Sequence, residues 1–346
     1  MPKPIARPIR VLVVDDSALM RQLLTQILAS DPEIEVAGTA PDPLLAREKI
    51  KELSPDVLTL DLEMPRMDGL TFLEKLMALR PMPVLVVSTL TQRGAGAALR
   101  ALEIGAIDYV AKPCVDIKSG VVGLGGELIA KVKAAAAARV TGRRRTEMMD
   151  KTITFDHRPS TEGRVVAIGA STGGVEALQQ LLTALPAGIP ATLITQHMPP
   201  GFTASFAKRL ADRCAMPVAE AIDGKQVMPG HVYIAPGNIH LELTRSGSQY
   251  FCRLSDGPRV SGHKPSVDVL FNSVAAAAGR SALGVILTGM GSDGAAGLLK
   301  MRQAGARTVG QDESSCLIYG MPKAAKLLGA IDAEFPLAQI WQEIMS

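Results

Sequence analysis

Aromatic residues are scarce in this chain, with one Trp, four Tyr and seven Phe in 346 residues, which argues against a base-stacking surface for nucleic acid. Charge of one sign is lacking too, since a formal net charge of +3 is too small for a phosphate-tracking partner. Cysteine is sparse, at positions 114, 214, 252 and 316 with no C-x-x-C spacing. Neither a disulfide framework nor a zinc site is therefore expected, and the thiols read as reduced. No long hydrophobic run is present. The longest segment free of Asp, Glu, Lys and Arg, 177–207, is broken by Gln179, Gln180, Pro186, Gly188, Pro190 and Pro199-Pro200 and cannot be a spanning helix. The early apolar run 11–14 stops at Asp15-Asp16, too short for a secretory core. A cytoplasmic protein is expected.

What is present is an alternation. Apolar residues make up 47% and charged residues 21%, a globular composition, and the length suggests two domains. From Arg10 onward, apolar runs of strand length alternate with helical patterns, the mark of a parallel sheet with crossover helices. In the first half, strands are expected at 11–14, 35–38, 57–60, 84–87 and 109–111, and helices at 20–28, 43–53, 69–79, 94–105 and 126–139. Asp15, Asp16, Asp61, Ser88 and Lys112 then all fall at carboxyl ends of strands, the edge where open parallel sheets bind ligands. Three carboxylates together repel one another unless a divalent cation sits among them, and hard oxygen donors suit Mg²⁺. A carboxylate beside a metal and a lysine forms a site that can accept a phosphoryl group, because both cations offset its charge. Any one of these acids alone would read as a solvated loop residue.

This half resembles the receiver domains of two-component response regulators. The resemblance rests on Asp15-Asp16, Asp61-Leu62-Glu63-Met64-Pro65-Arg66-Met67-Asp68-Gly69, Ser88 and Lys112-Pro113, and covers residues 9–122. It implies a flavodoxin-like (βα)5 fold with Asp61 as phosphoacceptor. It also implies Mg²⁺ held mainly by Asp16, with Asp15, Asp61 and the carbonyl of Glu63. Ser88 and Tyr109 would form the switch pair, and Lys112 would contact the phosphoryl group.

The segment from Arg143-Arg144-Arg145 to about 163 has no periodicity and reads as a linker. The expected division is a receiver at 1–125, a helix and linker at 126–163, and a second domain at 164–346. There the run Val165-Val166-Ala167-Ile168 meets Gly169-Ala170-Ser171-Thr172-Gly173-Gly174, and a helical pattern follows at once. Gly169 to Gly173 fits G-x-S-x-G, in which small neighbours let a strained turn expose a serine hydroxyl. The helix N-terminus beside it suits an oxyanion. Taken alone, the turn also reads as a phosphate loop or a packing device. A dinucleotide site requires an acid after the next strand, but strand 191–195 ends at Gln196-His197.

Further strands are expected at 232–235, 240–243, 283–287 and 308–310, and helices at 201–212, 266–278 and 295–303. Asp293 lies in the glycine-rich loop after 283–287. A serine needs an imidazole to take its proton, and the imidazole needs a carboxylate on its other nitrogen. Ser171, His197 and Asp293 sit where one sheet edge would gather them. Of the other histidines, His157 lies in the linker, His231 before a strand, His240 within or beside one, and His263 in a basic loop. Asp268 is the competing acid, expected to cap a helix or pair with Lys264. The order Ser…His…Asp is not that of α/β-hydrolases, so their fold is not inferred.

This half is similar to the catalytic domain of the chemotaxis protein-glutamate methylesterases, the CheB family. The matching motifs are Gly169-Ala170-Ser171-Thr172-Gly173-Gly174, Gln196-His197-Met198-Pro199, Pro236-Gly237-Asn238-Ile239-His240, His263-Lys264-Pro265-Ser266-Val267-Asp268, Thr288-Gly289-Met290-Gly291-Ser292-Asp293-Gly294 and Tyr319-Gly320-Met321-Pro322. The similarity implies a doubly wound, mostly parallel α/β domain. In it Ser171 is the nucleophile, His197 the base and then acid, and Asp293 the partner of His197. Thr172 and the N–H of Met290 would hold the oxyanion, and catalysis would need no cofactor. For the whole chain it implies a phosphorylation-activated hydrolase that demethylates glutamate methyl esters, and deamidates glutamines, on the cytoplasmic helices of chemoreceptors during adaptation. The chemotaxis histidine kinase would be the phosphodonor, with no nucleic acid and no membrane insertion involved. The unphosphorylated receiver would dock over the triad edge. The rival classes are a receiver joined to a non-enzymatic binding domain and a dinucleotide-binding effector. A DNA-binding half is disfavoured by its alternating strands and helices.

Overall fold

The computed structural model of the chain describes residues 7–64, 68–89, 91–112, 120–138 and 163–346. Pro65, Arg66, Met67, Pro113, Cys114, the arginines 143–145 and His157 lie outside these. The chain divides into two compact units, Met1–Lys151 and Thr152–Ser346. Among the described residues no helix is long and apolar enough to cross a membrane.

The first unit runs β1 (Ile9–Val14), α1 (Ala18–Ala29), β2 (Ile34–Ala40), α2 (Pro43–Leu53), β3 (Val57–Asp61), α3 (Gly69–Leu79), β4 (Val84–Ser88), α4 (Gln92–Ile104), β5 (Asp108–Ala111) and α5 (Gly120–Ala137). Every strand pair is parallel and the order is β2-β1-β3-β4-β5, the flavodoxin-like arrangement with its switch point at β1 and β3. Strands β3 and β4 are buried along their whole lengths, as expected where helices cover both faces. The helices start where the chain offers an oxygen for their free N–H groups. Ser17 accepts from Met20 N, Asp42 from Leu44 and Leu45 N, Asp68 from Leu70 N, and Thr91 from Gly94 N. Helix α5 runs across the expected boundary at 125 and packs on this unit through buried Leu128 and Val132.

The second unit runs β6 (Val165–Ala170), α6 (Gly174–Thr183), β7 (Ala191–Gln196), α7 (Phe202–Ala211), β8 (Val218–Glu220), β9 (Val232–Ile234), β10 (His240–Ser246), β11 (Gln249–Ser255), α8 (Val267–Ala278), β12 (Ala282–Ile286), α9 (Ala295–Gln303), β13 (Arg307–Gln311), α10 (Met321–Leu327), β14 (Ala333–Phe335) and α11 (Leu337–Met345). Its main sheet is parallel throughout, in the order β14-β13-β12-β6-β7-β9-β8. The chain leaves β6 in one direction and returns to its other side through β12. With right-handed crossovers this puts helices on both faces and a switch point between the carboxyl ends of β6 and β12. The antiparallel hairpin β10–β11 stands apart and is tied to α8 by Leu243 N donating to Ser273 Oγ at 2.9 Å. Apolar side chains of α8 (Val267, Leu270, Phe271 and Val274) are fully buried and form the centre of this unit's core. Short β8, the hairpin's second strand and the C-terminal run α10–β14–α11 are elements that sequence patterning did not assign.

Candidate active site

Ser171 is the first residue beyond β6. Its N–H donates to Thr288 O at 3.1 Å. Its carbonyl accepts Gly174 N at 2.7 Å and Gln196 Nε2 at 2.9 Å, so the turn is fixed on three sides. Two glycines of the motif have separate reasons. Gly173, at φ +80°, occupies the left-handed region, where a side chain is strained. At Gly169 an added Cβ would stand 2.2 Å from Val267 Cγ1, so only glycine lets α8 approach β6 this closely.

His197 follows β7, and its N–H bonds to Ala170 O at 3.2 Å. Its Nδ1 lies 3.1 Å from Ser171 Oγ, and its Nε2 lies 2.8 Å from Asp293 Oδ2. This geometry assigns the tautomer protonated at Nε2, which leaves Nδ1 free to accept from the serine hydroxyl. The three residues expected from strand-end placement are thus brought into one hydrogen-bonded row. The ring of His263 lies parallel to that of His197, with centroids 3.7 Å apart and planes 8° from each other.

Asp293, in the β12–α9 loop, is buried with 2% exposure. Besides His197 its carboxylate accepts Val267 N on Oδ2 at 2.8 Å. Its Oδ1 accepts Ser266 Oγ at 2.8 Å and Asp268 N at 3.0 Å. These are the opening groups of α8, so Asp293 caps that helix from another element. Burial disfavours its charge, but the His197 contact and the Val267 and Asp268 N–H groups outweigh that and hold it down at about 2. Asp268 shifts the other way. Burial raises it, the Gly297 N–H bond lowers it, and the Asp293 charge raises it. Its carboxylate accepts Gly297 N at 2.7 Å and Ser261 Oγ at 3.1 Å, and it does not pair with Lys264, whose ammonium binds Asp256 instead. Neighbouring carboxylates with pKa values pushed apart are a mark of assigned roles.

The oxyanion candidates lie beside the serine. Thr172 is buried and its carbonyl accepts Thr288 Oγ1 at 3.0 Å. Met290 is half-buried, and its N–H donates to no acceptor among the described residues. The three described cysteines offer no rival nucleophile, because burial pushes Cys214 up to about 11 and Cys252 and Cys316 to about 12. Residues that sequence reasoning passed over are Ser266, the N–H groups of Val267 and Asp268, and the ring of His263. A serine placed just before a helical pattern was the available signal for the first.

In the first unit, Asp15, Asp61 and Ser88 are buried at the carboxyl edge, and Asp16 is exposed beside them. Oxygens of Asp15, Asp16 and Asp61 lie within 4.8 Å of one another. Asp15 Oδ1 accepts Ser17 N at 2.9 Å and Asp61 Oδ1 accepts Glu63 N at 3.0 Å. The other oxygens of Asp15 and Asp61 face Lys112 Nζ at 3.1 and 2.7 Å, and no other described donor reaches them. Burial raises the Asp15 carboxyl, Lys112 pulls it down, and Asp61 pushes it up again. Burial works against the Lys112 charge, but Asp61 and Asp15 outweigh it and raise that ammonium. All-oxygen donors, two of them buried with the Lys112 ammonium as their only described partner, fit a hard divalent cation. Ser88 Oγ donates to Gly94 O at 3.2 Å, and Tyr109 is buried with Lys131 Nζ 5.1 Å from its ring centroid.

Comparison with known proteins gives two family matches, the CheB methylesterase family over residues 166–344 and the response regulator receiver domain family over residues 11–119. A protein-glutamate methylesterase/protein-glutamine glutaminase of Pectobacterium atrosepticum is 57% identical over 98% of this chain and 96% of its own length. One from Geobacter metallireducens is 56% identical over 96% of this chain and 94% of its own. The crystal structure of the Thermotoga maritima CheB methylesterase catalytic domain matches with a TM-score of 0.52 at 37% identity, covering 53% of this chain and 97% of that one.

Proposed function

The chain belongs to the CheB methylesterase family, with a response regulator receiver domain ahead of its catalytic one, and from that premise we propose a phosphorylation-controlled protein-glutamate methylesterase and glutamine deamidase. Its substrates are methyl-ester side chains on the cytoplasmic helices of chemoreceptors, and its role is adaptation. The observation that carries the catalytic reading is the row Ser171 Oγ–His197 Nδ1 and His197 Nε2–Asp293 Oδ2, at 3.1 and 2.8 Å. Ser171 Oγ attacks the ester carbonyl while His197 Nδ1 takes its proton, and Asp293 steadies the imidazolium. The oxyanion is held by Thr172 and the N–H of Met290. Collapse expels methoxide, which leaves as methanol with the proton from Nδ1. Water then attacks the glutamyl-serine ester, gives its proton to Nδ1, and the glutamate leaves as Ser171 regains its hydrogen. With a glutamine amide the same route releases ammonia.

In the receiver, Asp61 accepts the phosphoryl group from the chemotaxis histidine kinase. Asp15, Asp16, Asp61 and the carbonyl of Glu63 would hold Mg²⁺, which when bound offsets the charge of the incoming group. Lys112 lies against Asp61 to contact the phosphoryl oxygens, and Ser88 with Tyr109 forms the switch. Phosphorylation raises hydrolysis in the second unit. The test of the nucleophile is methanol release from methylated receptor membranes. Ser171→Ala is expected to lower it by about 10³-fold or more, and unchanged release would overturn the assignment.

A further inference from the structure

The row of three explains how the edge of the His197 ring is fixed. It does not explain what fixes the face. Imidazole χ2 is a broad torsion without sharp wells, and the ring must present one nitrogen to Ser171 and the other to Asp293 throughout the reaction. The face is covered by His263, parallel at 3.7 Å and 8°. In that geometry the nitrogens of His263 lie above the plane of His197 and cannot replace either in-plane partner. Contact between the two rings is a matter of packing and of charge.

The position of His263 is itself built. Val260 and His263 exchange both backbone hydrogen bonds, at 3.0 and 2.9 Å, around the turn Ser261-Gly262. Both turn residues have positive φ, +52° and +82°, as a two-residue hairpin turn demands. Ser261 Oγ pins the turn to Asp268 at 3.1 Å. Three residues beyond His263, Ser266 Oγ holds Asp293 at 2.8 Å. One short loop therefore supports both the carboxylate and the face of the base.

We propose that His263 is a positioning residue for His197, a flat partner that restricts the ring to the orientation joining Ser171 to Asp293. The inference rests on the assignment of His197 as the base. It also gives the His-Lys-Pro-Ser-Val-Asp stretch a purpose beyond helix initiation, since its first residue guards the ring and its fourth the acid.

The experiment measures methanol release from methylated receptor membranes by the full chain, with Ser171→Ala as control. His263→Ala is expected to lower kcat by about 10- to 100-fold, the scale of a small misplacement of a reacting group, with KM unchanged. His263→Phe, which keeps a flat face and has no ring nitrogen, is expected to restore most of that loss, and His263→Leu is not. If the alanine variant is poorly folded, the Phe–Leu pair carries the comparison at matched thermal midpoints. Unchanged kcat in His263→Leu would overturn the proposal. A rise in KM alone would overturn it by making His263 a substrate contact. Phe behaving like Leu would overturn it by requiring a ring nitrogen. Full release by Ser171→Ala would instead remove the underlying reading.

Discussion

At the scale of single residues, the carboxylate of Asp293 carries the most physical content. It is buried, yet four donors surround it, and its pKa falls from 3.8 to about 2. A carboxyl depressed by folding adds stability that is fully present above its unfolded value and is lost as pH falls through the folded one. The contribution of Asp293 therefore disappears between about pH 4 and pH 2, while raised Asp268 works in the opposite sense and is favoured by acid. Thermal midpoints of wild type and Asp293→Asn, measured across that window, are expected to converge as pH falls. At pH 7 the same variant is expected to lose about 10²- to 10⁴-fold in kcat with KM little changed, because an amide favours the wrong tautomer of His197. Ser171, His197 and Asp293 were legible in the sequence because each follows an apolar run that had to be a strand. His263 was not, since its place depends on a tight turn with a non-glycine residue at positive φ. Of the two alternatives for Asp268, the Lys264 pair fails for a similar reason, as that same turn delivers Ser261 and sends Lys264 to Asp256. The helix-capping role holds, on Gly297 N in the first turn of α9.

At the scale of elements, the site depends on how closely α8 lies against β6. Gly169→Ala would place a methyl 2.2 Å from Val267 Cγ1 and 3.2 Å from Phe271 Cζ. Neither can yield without moving α8, since both are fully buried. The expected cost is about 1–3 kcal/mol of stability, read from denaturant midpoints. A fall in kcat should accompany it, because Val267 N and Asp268 N hold Asp293. Loss of stability with kcat intact would show that the start of α8 does not set the acid's position. Most of the parallel strands were legible as apolar runs, β8 and β14 being the exceptions, and helix α9 was placed at its observed limits. The hairpin was half seen. β11 intersperses Gln249, Arg253 and Ser255 with its apolar residues, and its burial alternates irregularly. The C-terminal α10–β14–α11 run lacked any strand long enough to announce itself, β14 having three residues, all half-buried.

At the scale of the whole molecule, each unit gathers its reactive groups at the carboxyl edge of a parallel sheet, beside the place where strand order reverses. The fold of both was legible because a doubly wound sheet repeats one pattern, whereas α5, expected from 126, runs Gly120–Ala137, its Ala- and Gly-rich sequence giving no sharp boundary. The proposed control from the first unit has a direct test. Methanol release by wild type is expected to rise on addition of acetyl phosphate with Mg²⁺, and in Asp61→Asn the ratio of stimulated to unstimulated rate is expected to fall to unity. Persistent stimulation would remove Asp61 as phosphoacceptor. The scarcity of aromatic residues noted at the outset has its own use here. The sole indole of the chain, Trp341, sits half-buried in α11, which packs against α6, the helix that opens at the serine turn. Tryptophan emission therefore comes from the hydrolytic half alone, giving an optical signal native to that half while the phosphorylated one stays dark.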